Sequence, residues 1–101
     1  MIPEHKAVTD PLPVSVFGLG YVGCVTAACL ADRGHQVIGV DVSDTKVYLM
    51  NSGTATIVEE GIADLVRRGN EAGRLRATTS VADAVAATSI SLICVGAPSQ
   101  P

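Results

Sequence analysis

Aromatic side chains are nearly absent: the 101 residues hold no tryptophan, two tyrosines and one phenylalanine. With 48% of residues hydrophobic, the core has to be assembled from Val, Ile, Leu and Ala. That composition is globular rather than disordered, and it suits a parallel sheet buried on both faces. Cysteine is scarce too. Cys24, Cys29 and Cys94 lack metal-ligand spacing, so no metal site is expected, and they read as small hydrophobes in a reducing compartment. Positive charge is short, with a formal net charge of −3, which disfavours nucleic acid as a partner. Arg67, Arg68, Arg74 and Arg76 do cluster, but two of them close an expected helix, where cations complement the macrodipole, and the group reads as a solvated face. The first thirteen residues, with Glu4, His5, Lys6, Asp10 and three prolines, lack the apolar run of a signal peptide; residues 1–12 read as a flexible leader before a domain over 13–101. Val14 to Ala31 is apolar enough for a membrane span, yet three glycines at phosphate-loop spacing argue against one. No membrane partner is expected, and the expected location is the cytoplasm. There is no internal repeat and no low-complexity segment.

What the chain does contain is a pattern at residues 14–41: Val-Ser-Val-Phe-Gly18-Leu-Gly20-Tyr-Val-Gly23, a helix-like run, then Gln36-Val-Ile-Gly-Val-Asp41. A lone G-x-G-x-x-G is weak, because glycine is common. Here it follows an apolar strand and opens a helix, the context that dinucleotide binding requires. Gly18 can make the tight turn, Gly20 lets backbone approach a pyrophosphate, and Gly23 lets the helix pack close to the strand. The backbone N–H groups of Tyr21 and Val22 would face that pyrophosphate from the helix N-terminus. Asp41 stands about 20 residues on, at the reach of a carboxylate that accepts from the adenosine ribose and repels a 2′-phosphate, which favours NAD over NADP. Its plainer reading is a helix-capping or loop carboxylate.

Two further sites follow from position. If Ser43 caps the next helix, Lys46 sits in its first turn, where a cation costs roughly 0.3–1 kcal/mol against the dipole. Lys46 either reaches back over Asp41 toward the ribose or is simply solvated. Gly96, Ala97 and Pro98 leave the fourth strand beside the first, at the switch point where ligands sit. His35, just after a helix-ending glycine, reads as a turn residue.

The periodicity predicts a strand over 14–18, a helix over 21–33 stopped by Gly34, and a strand over 36–40. A helix capped by Ser43 runs to about 51. A third opens at Glu59 or Glu60 and ends at Arg67-Arg68, before a polar loop over 69–73. A strand over 75–78 follows, then a small helix opened by a Ser80–Asp83 capping box with Val81, Ala84 and Val85 inward, and a strand over 90–95. The fold class is α/β: the first half of a Rossmann-type doubly wound parallel sheet, four strands in the order 3-2-1-4. Fifth and sixth strands and a substrate domain would be expected beyond Pro101.

Phe17-Gly-Leu-Gly-Tyr-Val-Gly23, Gly34-His-Gln-Val-Ile-Gly-Val-Asp41 and Ile93-Cys-Val-Gly-Ala-Pro-Ser99 together resemble the amino-terminal domain of the UDP-glucose/GDP-mannose 6-dehydrogenases, over about residues 13–99. Ile57-Val-Glu59 before Gly61-Ile62, and Gly73-Arg-Leu75, look closer to the GDP-mannose branch. The resemblance implies NAD as cofactor, touching Tyr21, Val22, Asp41 and Lys46. It further implies a nucleotide-sugar substrate bound outside this chain, a homo-oligomeric full-length enzyme and a role in polysaccharide biosynthesis. The implied reaction is a four-electron oxidation at the sugar C6 through a cysteine-bound intermediate. Two departures stand out: Ala97 replaces the threonine of a G-T-P-S loop, and Glu60 replaces the proline of E-P-G. The family's nucleophile and its helpers would lie past Pro101, so this chain alone is expected to be inactive. Two other readings remain open. One is a hydroxyacid or 6-phosphogluconate-type dehydrogenase, which shares the G-L-G-x-x-G opening; the other is a non-catalytic nucleotide-sensing module.

Overall fold

The computed structural model describes residues 11–94. Four strands and four helices follow in the order β1 (Val14–Phe17), α1 (Tyr21–Asp32), β2 (Val37–Val40), α2 (Asp44–Asn51), α3 (Ile62–Glu71), β3 (Leu75–Thr78), α4 (Val81–Ala87) and β4 (Ile90–Ile93). The strands form one parallel sheet in the order β3-β2-β1-β4, with Val14 opposite Val37 and Ile90, and Val37 opposite Leu75. This is the Rossmann-like α/β arrangement that the sequence predicts. Because β2 is buried on both faces, its four residues can all be apolar or glycine. On one face Val14, Val16, Val37, Leu75 and Ala77 meet Ala27, Ala28 and Ala31 of α1, Met50 of α2 and Val66 of α3. On the other, Ile38 and Val40 meet Ala84 of α4.

Local chemistry sets the helix ends. Ser43 and Ser80 cap α2 and α4, each hydroxyl accepting from the N–H three residues on, Lys46 and Asp83. The Ser80 N–H, however, turns to Thr78 Oγ1 at 3.0 Å, so the reciprocal half of the expected capping box is made by a strand residue. At the other end of α1, Gly34 takes φ 101, its N–H reaching Ala31 O while the His35 N–H reaches Leu30 O. That paired closure needs a left-handed residue at its centre. It recurs at Gly53 and Gly73.

Two elements differ from expectation. Helix α3 starts after Gly61 and runs through Arg67 and Arg68 to Glu71. Gly69 is not a breaker but a contact point: a Cβ there would lie 3.2 Å from the Cβ atoms of both Ala31 and Leu75. The helix therefore packs so close to α1 and β3 that a side chain at position 69 would push its neighbours back by a few tenths of an ångström. In α4 only Ala84 is buried, whereas Val81 and Val85 are about half exposed, because this seven-residue helix meets the sheet through a single small side chain. The basic cluster behaves as a solvated face. Arg67 pairs with Asp64 and Glu71, Arg68 with Asp64 and Asp32, and Arg74 Nε donates to Ala31 O at the end of α1.

The outer edge of β3 is sealed by two asparagines. Asn51 Nδ2 donates to Ala77 O at 2.9 Å and its Oδ1 accepts from Ala77 N at 2.8 Å, so one side chain copies the ladder of a neighbouring strand. Asn70 Nδ2 lies within hydrogen-bond reach of Leu75 O, Met50 O and Asn51 O. Exposed strand edges invite pairing with other chains, and this one is occupied. Asn51→Ala should cost about 1–2 kcal/mol in urea unfolding, the range for backbone groups left partnerless at a partly wet edge. An unchanged unfolding midpoint would show that water replaces the amide without loss.

Candidate functional site

The turn after β1 is built around Leu19. Gly18 leaves the strand with its N–H on Val40 O at 2.8 Å and takes φ 97, a conformation L side chains rarely adopt. Leu19 is then fully buried. It fits because β2 carries glycine at position 39, where a Cβ would come within 2.8 Å of Leu19 Cδ2. Leu19 N donates to Asp41 Oδ2 at 2.8 Å, and Leu19 O accepts from Thr56 Oγ1 at 2.8 Å. Gly20 caps α1 in an extended conformation, with nothing within 4 Å of a Cβ built on it. Gly23 has no such freedom: a Cβ there would fall 1.6 Å from Gly18 O.

Helix α1 opens as an anion site. Its first backbone closure is Cys24 N–H to Gly20 O, which leaves the N–H groups of Gly20, Tyr21, Val22 and Gly23 without intrahelical acceptors. No side chain caps it and no acid occupies its first turn, whereas α2 and α4 have a serine cap plus Asp44 or Asp83. The partial positive charge of the α1 terminus thus faces open space.

That space is a cleft of about 350 Å³ lined by Gly18, Gly20, Tyr21, Val22, Asp41, Lys46 and Cys94. On the other side of Asp41 lies an apolar recess of about 200 Å³, walled by Phe17, Val40, Val42, Thr79 and Val81. Gly18 and Asp41 border both. Of the residues singled out from sequence, Gly18, Gly20, Tyr21, Val22, Asp41 and Lys46 converge on the cleft, and Gly23 backs the turn from below. Gly96 and Ala97 lie outside the described residues. His35 sits at the far end of α1 with Nδ1 on Leu12 O at 2.7 Å, a turn residue as expected. Cys94, read from sequence as a packing residue, is a wall of the cleft. Leu19, Gly39, Thr56 and Glu59 were not anticipated. An isolated glycine inside a strand signals close approach and could have exposed Gly39; nothing local marks Thr56.

The electrostatics centre on Asp41. Partial burial alone would raise its carboxyl. The backbone N–H groups of Leu19 and Ser43, the Lys46 charge and the Val42 N–H more than offset this and hold it below the usual carboxylate range. At the cleft mouth Tyr21 OH donates to Glu59 Oε1 at 3.2 Å, and that bond to a carboxylate raises the phenol. Among the described residues no cluster of His, Cys, Asp or Glu could hold a metal ion, and no helix is long and apolar enough to cross a membrane. The donor set instead fits a dinucleotide: unpaired N–H groups for phosphate, a Cβ-free cradle at Gly20 and an ionised carboxylate beside an apolar recess.

Because the folded Asp41 carboxyl titrates below its unfolded value, its contribution to stability is present above about pH 4 and lost as pH falls through the folded value. The gap in melting temperature between the unmodified chain and Asp41→Asn should therefore be constant above about pH 5 and shrink below pH 4. A gap that widens on acidification would overturn this assignment of charge.

The chain matches the model of the UDP-glucose/GDP-mannose dehydrogenase family, NAD binding domain, over residues 12–101. It is 54% identical over 87 residues to the GDP-mannose 6-dehydrogenase of Pseudomonas syringae pv. syringae, covering 86% of this chain and 20% of that one. Against the UDP-glucose 6-dehydrogenase of Rhizobium meliloti (strain 1021) the identity is 38% over 89 residues, covering 88% and 20%. A solved ternary complex of GDP-mannose dehydrogenase from Pseudomonas aeruginosa superposes with a TM-score of 0.85 at 53% identity, covering 88% of this chain and 20% of that chain. The chain therefore spans about a fifth of the length of the relatives it matches. The likeness extends beyond the glycine turn to nearly the whole described fold, and the chain belongs to the UDP-glucose/GDP-mannose dehydrogenase family through its NAD-binding domain.

Proposed function

We propose that the cleft of this chain holds NAD for a nucleotide-sugar 6-dehydrogenase acting on GDP-mannose, in the cytoplasm and in the service of polysaccharide biosynthesis. The observation that carries the site is Asp41, an ionised carboxylate between the uncapped start of α1 and an apolar recess. In this reading the N–H groups at Gly20, Tyr21 and Val22 bind the pyrophosphate, and Asp41 accepts from the adenosine ribose with lone pairs that Leu19 and Ser43 leave free. Lys46 offsets charge beside it, and the adenine base lies against Val42 and Val81, two valines otherwise open to water. Gly96 and Ala97 join the cofactor site in this reading only by their place in the sequence after the fourth strand. When bound, NAD⁺ supplies the hydride acceptor; this chain's residues orient it and exclude its 2′-phosphorylated relative.

The preference for GDP-mannose draws on the higher identity to GDP-mannose 6-dehydrogenases than to the UDP-glucose enzyme. Cytoplasmic placement draws on three free thiols. No residue here is assigned the covalent step: Cys24 is buried, Cys29 lies on the outer side of α1, and Cys94 is taken as part of the cofactor cleft. In this reading the nucleophile, the sugar site and the contacts of a homo-oligomer belong to other parts of a longer enzyme, of whose relatives this chain spans about a fifth.

Calorimetric titration tests the cofactor. NAD⁺ should bind at least about tenfold more tightly than NADP⁺, since like charges about 4 Å apart near a surface repel by about 1–4 kcal/mol. Equal affinities would remove Asp41 from the ribose. The glycines separate fold from function. Gly20→Ala should leave stability within about 0.5 kcal/mol yet weaken NAD⁺ about tenfold, because its methyl enters only the cleft. Gly23→Ala should cost about 3 kcal/mol or more, because its methyl meets Gly18 O. The reverse ranking in urea melts would show the turn to be wrongly assigned.

A further inference from the structure

We infer that Thr56 is a positioning residue for the pyrophosphate, acting through the peptide that joins Leu19 to Gly20. The inference rests on the NAD reading of the cleft and adds a residue that lies outside its walls.

Thr56 sits in the irregular segment between α2 and α3, remote in sequence from the glycine turn. Its hydroxyl donates to Leu19 O at 2.8 Å. Its neighbours Ala55 and Ile57 both pack against the core, so the hydroxyl is held from either side. The same segment makes a second contact with the turn through Glu59 and Tyr21 OH. That pair is exposed and contributes little. Thr56 is the anchor.

A planar trans peptide points its C=O and its following N–H in opposite directions, and no peptide bond among the described residues is cis. Drawing the Leu19 carbonyl back onto Thr56 therefore aims the Gly20 N–H away from the loop, toward the cleft that Gly20 lines. Among the described residues this N–H has no acceptor. The preceding peptide is fixed independently. Leu19 N is held by Asp41 Oδ2, and the Gly18 carbonyl is turned against Gly23. Two successive peptide planes are thus set by two side chains, Asp41 for the first and Thr56 for the second. Without Thr56 the second plane can rotate about the bonds of Gly20, which no side chain restrains. The donor aimed at phosphate would then be lost to a spread of orientations before binding, and ordering it again weakens the complex.

The test titrates the unmodified chain, Thr56→Val and Thr56→Ser with NAD⁺, inorganic pyrophosphate and adenosine. Calorimetry reads affinity and amide NMR follows Gly20. Thr56→Val, of equal shape without the hydroxyl, should bind NAD⁺ and pyrophosphate about three- to tenfold more weakly, the net range of one hydrogen bond. Adenosine, which has no phosphate, should be unaffected, and Thr56→Ser should restore the affinity. In the unmodified chain the Gly20 amide should shift as NAD⁺ saturates, a readout that does not depend on any variant folding. Equal NAD⁺ affinity of Thr56→Val and the unmodified chain overturns the inference alone. So does an equal loss of adenosine binding, failure of serine to rescue, or a Gly20 amide that stays put. An unmodified chain that binds no NAD⁺ overturns the cofactor reading and this inference with it.

Discussion

The bond from Leu19 N–H to the Asp41 carboxylate is the constraint on which the rest of the site depends. It ties Leu19, two residues beyond β1, to Asp41, the residue after β2, so the ends of two neighbouring strands share one geometry. A hydrogen bond to an ionised acceptor is roughly twice as strong as a neutral one, and here it is reinforced by the Ser43 N–H on the other oxygen. The bond also explains β2. Leu19 can sit under the turn only if β2 offers no side chain opposite it, which is why glycine interrupts Val37-Ile38-Gly39-Val40. Asp41 thus acts twice, once on its own backbone and once toward the cleft. Replacing it would disturb the turn as well as the wall of the cleft.

Charge at the cleft is arranged rather than accumulated. The chain is net acidic, yet the start of α1 carries no acid and the nearest ammonium, Lys46, stands beside Asp41. Of the arginines that might have formed a basic field, Arg67 and Arg68 are bound to Asp32, Asp64 and Glu71 on α1 and α3, and Arg74 donates to Ala31 O. Backbone dipoles therefore supply the positive potential at the cleft more than side chains do, and they are more selective because they act only within the first helical turn.

Features with a short-range cause could be read from the chain. The glycine turn, the Gly34 stop, the Ser43 cap and the sheet order follow from neighbouring residues or from the crossover rule, and all are found. Apart from Cys94, the walls of the cleft were legible for the same reason. What could not be read depends on residues that meet only in the fold. Gly69 looks like a helix breaker until Ala31 and Leu75 are seen beside it. Val81 and Val85 share a helical face with Ala84 by spacing, but the sheet beneath has room for the alanine alone. Asn51, Asn70 and Thr56 are ordinary polar residues in sequence, and their roles come from the strand edge and carbonyl each happens to reach.

The asparagine seal on β3 gives this sheet a direction of growth. With Ala77 already answered on both its N–H and its C=O, an incoming strand finds no ladder to continue on that side. The far side of β4 carries no such amide among the described residues. Strand addition, whether by further sequence or by another molecule, is thereby steered to β4. The dinucleotide turn after β1 stands next to that side, so any lengthening of the sheet builds outward from the cleft and leaves the β3 flank closed.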